Sequence, residues 1–326
     1  MYMQKPQLIQ FLSEMGFSDR LIAQCDPLMR PAIRLTTRCL EGDCLDVGSS
    51  KLGGLPDLPS GVEWPHSVGL PAQEEAYWMA HQWLPGPLWF QAQIRLGDLA
   101  TCDEDRVLPG TGILYFFAAM QKDGFPLDGI RFTDWKVFYY NDDPTRLSRA
   151  RLPATAEAFQ HALRTTVSHE IPPHIQLPET HQFPPCALGF SLFAHLPDGL
   201  LHRMVNRMGE AACYEKNSKN LYDALTVAKE HFPCHHFLGY ADILQGTHEW
   251  DFPATTKQKD SAEALRRFRR IDSEPNEWRM LLQLDSDPEL GFHWEGGWGR
   301  GYYYIRESDL VARRFDAVCL VNDHIF

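Results

Sequence analysis

Residues 87–96, PLWFQAQIRL, and residues 277–287, EWRMLLQLDSD, begin two stretches of this chain that follow the same pattern. Each is an apolar strand carrying a glutamine, Gln93 or Gln283, followed by a glycine-led aromatic strand and a third apolar strand. The later strands read LPGTGILYFFAA (108–119) and WKVFYY (135–140) in the first stretch, and GRGYYYIRESDL (299–310) and FDAVCLVN (315–322) in the second. Short runs of aromatic and β-branched residues favour strands. The pattern predicts a three-strand unit that occurs twice, with a cleft or seam between the halves.

The connections between consecutive strands are tight and rich in glycine, and strands do not alternate regularly with helices. These features are typical of antiparallel pairing. We therefore expect an α+β fold: mainly antiparallel sheets built from two related three-strand units, with peripheral helices. The predicted organisation is an N-terminal helical segment (1–28) and a single domain (29–326). Its two pseudo-repeated halves are expected at 29–150 and 235–326, joined by a helical and proline-rich connector over 151–234.

Helical spacing of apolar residues is clearest near the N-terminus. Leu8, Leu12 and Met15 predict a helix, and Ser18 is placed to cap a second, short one. A later helix is predicted over 218–231 with Ser218 as its N-cap, and shorter candidates lie at 154–164 and 261–270.

Composition restricts the classes of partner. The chain has 43 acidic and 31 basic side chains, a net charge of −12. This charge repels phosphate backbones and anionic membranes and attracts basic proteins. No window reaches the roughly 18 apolar residues of a membrane span, and the first residues do not resemble a signal peptide. We therefore expect a cytoplasmic protein that binds neither nucleic acid nor membrane.

The cysteines predict neither a metal site nor a disulfide. Eight are present, at irregular spacings without a C-x-x-C pair, and cytoplasmic thiols are normally reduced. Cys234 lies beside His235 and His236, where a zinc site or a Cys–His nucleophile pair is an alternative to ordinary strand residues. No cofactor is predicted.

The two glutamines occupy corresponding strand positions and could face one cleft. There they would bind amide or hydroxyl groups of a ligand. Alternatively, Gln93 and Gln283 each satisfy buried backbone groups, as buried amides commonly do.

Carboxylates follow the second glutamine strand at alternate positions. Asp285, Asp287 and Glu289 invite comparison with a calcium loop, but Leu290 and Gly296 stand where an EF-hand requires glycine and glutamate. A strand-end turn explains them as well. The glycine-rich stretch 291–301 lacks the residues of a phosphate loop, although Trp294 and Trp298 could stack on a ligand.

Several segments together resemble the YwqG-like family of uncharacterised bacterial proteins. They are RPAIRL, KLGGLPDLPSGVEWP, PLWFQAQIRLGDL, LPGTGILYFF, HHFLGYADILQG, WRMLLQLDSD and YYYIRESDLVARRFDAV. The resemblance implies an antiparallel α+β fold and, because members look to be frequent neighbours of secreted toxins, a toxin-neutralising role. Members usually carry Trp-Gly-Asp before the last aromatic strand. Here Glu295 follows Trp294 and the aspartate is missing, so a role of that aspartate would have to be taken by Glu295.

These observations favour a non-enzymatic cytoplasmic binding protein, of the toxin-neutralising kind, with a basic protein as partner. The candidate binding residues are Gln93, Gln283, Asp285, Asp287, Trp294, Glu295 and Trp298. The alternatives are a hydrolase that uses Asp285, Asp287 or Cys234 in the cleft between the halves, and a small-molecule sensor that binds by aromatic stacking.

Overall fold

The computed structural model describes residues 3–40, 42, 44–66, 86–118, 135–156, 183–196, 198–225, 233–244, 277–287 and 299–324. The strands are β1 (Arg30–Cys39), β2 (Lys51–Leu52), β3 (Asp57–Pro59), β4 (Trp89–Arg95), β5 (Ile113–Ala118), β6 (Trp135–Tyr140), β7 (Leu147–Arg149), β8 (Cys186–His195), β9 (His236–Leu238), β10 (Trp278–Asp285), β11 (Gly299–Arg306) and β12 (Cys319–His324). The helices are α1 (Lys5–Glu14), α2 (Asp19–Cys25), α3 (Asp198–Met208), α4 (Ala211–Leu225) and α5 (Glu307–Val311).

Ten of these strands form one continuous sheet in the order β12-β11-β10-β9-β1-β8-β2-β4-β5-β6. Every neighbouring pair is antiparallel. Both predicted three-strand groups, β4–β6 and β10–β12, lie in this sheet. The predicted α+β fold, with antiparallel sheets built from two three-strand units and with peripheral helices, is therefore wrong: the chain forms one large, nearly barrel-shaped antiparallel sheet. The reason is the long β1–β8 pair, in which all ten residues of each strand are matched and which, with β9 and β2 on either side, joins the two groups.

The two outer strands curve toward each other, so the sheet is nearly a barrel. At the start of β6, Trp135 donates its indole N–H to the carbonyl of Val318, just before β12, at 2.7 Å. The rings of Tyr139 and Phe315 lie 5.3 Å apart near the same junction. Inside the curve, Phe116 of β5 meets Tyr303 of β11 with ring centroids 5.0 Å apart. Side chains from both halves therefore share one apolar interior.

The two sides of the β1–β8 pair have the same arrangement: a short strand followed by three longer, consecutive ones. On one side lie β9, β10, β11 and β12; on the other lie β2, β4, β5 and β6. The register of β4 on β5 shifts between Phe90 and Ala92, and that of β10 on β11 shifts at the corresponding place, between Met280 and Leu282. These bulges change which face each residue occupies.

The bulge in β4 interrupts the alternation of its side chains. Regular alternation would place Phe90 and Ala92 on the same face of β4, but the extra residue between them separates them. Phe90 packs with Tyr115 and Phe117 on the outer face, whereas Ala92 belongs to the interior cluster.

The N-terminal helices form a second apolar cluster. Leu8 and Leu12 of α1 and Leu21 of α2 pack with residues of α3 and α4. The predicted cap is confirmed, because the Ser18 hydroxyl accepts the Leu21 N–H at 3.1 Å.

The predicted start of the later helix is wrong. Ser218 lies inside α4, which begins at Ala211, because the first turns of α4 pack Cys213 and Tyr214 against this cluster. The 154–164 candidate is helical over 154–156, where its described residues end, and 261–270 lies outside the described residues.

Candidate functional site: two buried glutamine–aspartate sets

Gln93 binds a loop that folds back over β4. The side chain is fully buried. Its Oε1 accepts the Asp57 N–H at 2.8 Å, and its Nε2 donates to Asp57 Oδ2 and to the Ser49 carbonyl, each at 2.7 Å. One amide side chain therefore holds both the backbone and the carboxylate of Asp57 against the sheet.

Gln283 makes the same set of bonds in the other half. Its Oε1 accepts the Asp242 N–H at 2.9 Å, and its Nε2 donates to Asp242 Oδ2 at 3.1 Å and to the Cys234 carbonyl at 2.8 Å. The two glutamines thus lie in separate sets, each engaged by protein groups.

A tyrosine completes each set. Tyr115, opposite Gln93 on β5, donates its hydroxyl to the Asp57 carbonyl at 2.6 Å. Tyr302, opposite Gln283 on β11, donates to the Asp242 carbonyl at 2.8 Å. Each aspartate is therefore held through its N–H, its carbonyl and its carboxylate.

The chain reaches both aspartates through the same turn. Gly53 and Gly54 have φ angles of +63° and +67°, and Leu238 and Gly239 have +59° and +77°. Aligned on these turns, KLGGLPD (51–57) corresponds to HFLGYAD (236–242). The predictions did not include Asp57 or Asp242. The available signal was the aspartate that ends both segments, each with glycine three residues earlier.

The two sets differ in the cations around the aspartate. Lys51 Nζ lies 3.3 Å from Asp57 Oδ2 with both side chains fully buried, and Arg149 pairs with Oδ1. Burial favours the neutral acid, but Arg149 and Lys51 outweigh it and lower the pKa of Asp57. Asp57 is therefore ionised at neutral pH and paired with Arg149 and Lys51.

Imidazoles take the place of those cations around Asp242. His195 Nε2 lies 3.1 Å from Oδ1, and His236 Nε2 lies 3.4 Å from Oδ2. Burial opposes ionisation, yet these rings hold the pKa of Asp242 well below its usual value.

The partners of the two rings indicate where their protons lie. His195 Nδ1 accepts the Tyr240 N–H at 3.3 Å, so its proton is on Nε2, toward the aspartate. His236 Nδ1 is 3.0 Å from the Leu238 carbonyl, so that nitrogen is protonated. Burial lowers the pKa of His236, and the neighbouring Asp242 carboxylate opposes this shift.

The structure places Asp285 and Asp287 beside the Gln283 set. Asp285 Oδ1 lies 3.1 Å from Arg300 Nε, and its Oδ2 accepts the Cys234 N–H at 3.0 Å. Asp287 is only 2% exposed, with its Oδ2 3.5 Å from His235 Nε2. Both carboxylates are thus directed at groups of the protein itself.

Arg300 links Asp285 to the Gln283 set. Its Nη1 donates to the Asp242 carbonyl at 2.7 Å. Burial disfavours the guanidinium charge, but Asp285 outweighs this and raises the pKa of Arg300, which stays charged.

The remaining candidates, Trp294, Glu295 and Trp298, lie outside the described residues.

Within the ranges that the structure does describe, no group of three or more His, Cys, Asp or Glu side chains is arranged to hold a metal ion. The same part of the chain contains no helix with the length and apolar character needed to cross a membrane.

Comparison with known proteins identifies the family. Residues 50–323 match a domain of unknown function, DUF1963, and the chain belongs to this family. The match includes both glutamine–aspartate sets and excludes the N-terminal helices. No curated protein matches the chain.

Proposed function

We propose that this protein acts in the cytoplasm by binding a basic protein partner. The observation that carries the proposal is the net charge of −12. Such a charge attracts cationic surfaces over long range and accelerates their association.

The placement of the candidate residues supports binding through other acids. Gln93, Gln283 and Asp287 are buried, and Asp285 is paired with Arg300. We therefore expect exposed carboxylates to make the contacts with a partner. Glu104 and Asp105, in the connection from β4 to β5, are of this kind.

Toxin neutralisation is a narrower form of this proposal, and it is supported by the resemblance to YwqG-like proteins. A protein that neutralises a basic toxin would use the same attraction. Trp294 and Trp298 remain candidate anchors, because tryptophan is enriched among the residues that dominate binding energy.

We also propose that the two halves are an internal duplication. The matching strand order, the matching bulges and the two glutamine–aspartate–tyrosine sets support it. An ancestral glutamine anchor would then have been kept in both copies, while the cations around the aspartate diverged.

The proposal is tested by capture of proteins from an extract of the native host on the immobilised chain. We expect captured proteins to be basic and to be released as salt rises, because screening weakens exposed charge pairs. Glu104→Lys combined with Asp105→Lys should reduce capture several-fold. The charge-conserving pair Glu104→Asp and Asp105→Glu is the matched control.

Two results would contradict the proposal. One is a captured set without a bias toward basic proteins that also resists salt. The other is turnover of a small substrate that disappears in Asp285→Asn or Cys234→Ala, which would establish the hydrolase instead.

A further inference from the structure

Two cysteines face each other across the central strand pair of the sheet. Cys39 ends β1, Cys186 begins β8, and the two residues are direct partners in the antiparallel register. Their Sγ atoms are 2.6 Å apart. Cys39 is exposed and Cys186 is buried. A reactive small molecule can therefore reach one sulfur of the pair from solvent.

The backbone geometry suits a bond between them. The Leu40 N–H donates to the Pro185 carbonyl at 3.1 Å, so Leu40 and Pro185 form a hydrogen-bonded pair of the ladder. Pairs alternate in an antiparallel ladder, which makes Cys39 and Cys186 a non-hydrogen-bonded pair. Such pairs have Cα atoms about 4.5 Å apart, within the range of about 4.4–6.8 Å that a disulfide requires.

We propose that Cys39 and Cys186 form a redox modification site that takes low-molecular-weight disulfides as its oxidant. The Cys39 thiolate attacks one sulfur of the oxidant, forms a mixed disulfide and releases one thiolate. Cys186 then loses its proton and attacks the Cys39 sulfur, which releases the second thiol. The two protein thiols are oxidised to one disulfide, and the small disulfide is reduced to two thiols.

The bond would have a defined effect on the fold. The β1–β8 pair joins the two sides of the sheet, and the cysteines are 147 residues apart in the chain. A cross-link that closes so long a loop restricts the unfolded chain strongly. We therefore expect oxidation to raise the unfolding temperature and thiol reductants to reverse the rise.

The test uses the full-length chain, reduced and then treated with oxidised glutathione at neutral pH. Remaining thiols are alkylated, and linked peptides are identified by mass spectrometry. We expect Cys186 to be linked to Cys39 in most chains, with loss of two hydrogen atoms, and the unfolding midpoint to rise by about 5 °C or more.

Two serine variants assign the bond. Cys44 is also exposed and lies on the same tryptic peptide as Cys39. Cys44→Ser should keep the link and the thermal shift. Cys39→Ser should lose both, and its circular dichroism spectrum should match that of the wild type.

Three outcomes would overturn the proposal. One is a link to Cys186 that disappears in Cys44→Ser and persists in Cys39→Ser. Another is glutathione retained on Cys39 while Cys186 is still alkylated. The third is the absence of any linked peptide in the wild-type chain at excess oxidant.

Discussion

At the scale of single residues, Gln93 and Gln283 act as anchors between a loop and the sheet. Each offers one acceptor and two donors, and all three are used within the protein. Methionine has a similar volume but cannot make these bonds. The loop backbone would then be buried without its partners.

Gln283→Met should lower the free energy of unfolding by about 2–5 kcal/mol, because the Asp242 N–H and the Cys234 carbonyl lose their partners in a buried site. Urea denaturation measures the loss. Gln24→Met, at an exposed position of α2, is the control and should change stability by less than about 0.5 kcal/mol. Equal midpoints for the two variants would show that Gln283 does not anchor the loop.

The two sets also show how one anchor tolerates different charges. Lys51 and Arg149 face the Asp57 carboxylate, whereas the imidazoles of His195 and His236 face that of Asp242. The same glutamine anchor is thus combined with different basic side chains in the two halves.

At the scale of elements, the turn after β2 brings the chain close to the start of β8. A Cβ atom at Gly53 would lie 2.2 Å from the Pro184 carbonyl oxygen, a distance that no rotamer relieves. The corresponding Leu238 has the same left-handed backbone and carries a side chain. At Gly53 it is thus the close approach, more than the backbone angle, that requires glycine.

Gly53→Ala should destabilise the protein by about 3 kcal/mol or more, from the left-handed strain together with the clash. Gly61→Ala separates the two effects, because Gly61 has a φ of +84° with no atom within 4 Å of an added Cβ. We expect this control to lose only about 1 kcal/mol. Similar losses in both variants, measured by thermal or urea unfolding, would contradict the steric explanation.

At the scale of the whole molecule, closure of the sheet depends on contacts between its two outer strands. The Trp135 indole N–H is bonded to the Val318 carbonyl across that junction. Trp64 makes an equally short bond, 2.7 Å, to the Leu88 carbonyl, but within the first half. The two tryptophans form a matched pair for testing closure.

Trp135→Phe should reduce stability by about 1–3 kcal/mol, because the Val318 carbonyl is left unpaired. Amide hydrogen exchange should also become faster in both β6 and β12, since the junction opens. Trp64→Phe should lower stability by a similar amount without changing exchange in β12. Unchanged β12 exchange in Trp135→Phe would mean that the contact does not hold the sheet closed.

Some of the candidate site was predictable. Alternation and aromatic runs identified β4, β5, β6, β10, β11 and β12, and the corresponding glutamines identified the centres of both buried sets. The bonds of Gln93 and Gln283 match the interpretation in which a buried amide satisfies backbone groups. Asp57 and Asp242 were not predicted, because their role depends on a turn that returns each of them to a strand distant in sequence.

Local structure in this protein follows from short-range sequence: a serine hydroxyl caps the next helix, and β-branched and aromatic runs extend into strands. The architecture follows from contacts between distant segments. Nothing in RPAIRLTTRC or CALGFSLFAH marks the other as its partner, yet their pairing turns two strand groups into one sheet. The bulges likewise arise from register between strands, so they change which faces are buried without a local signal. Strand periodicity records which residues avoid water, whereas strand order is decided by how the whole chain buries those residues together.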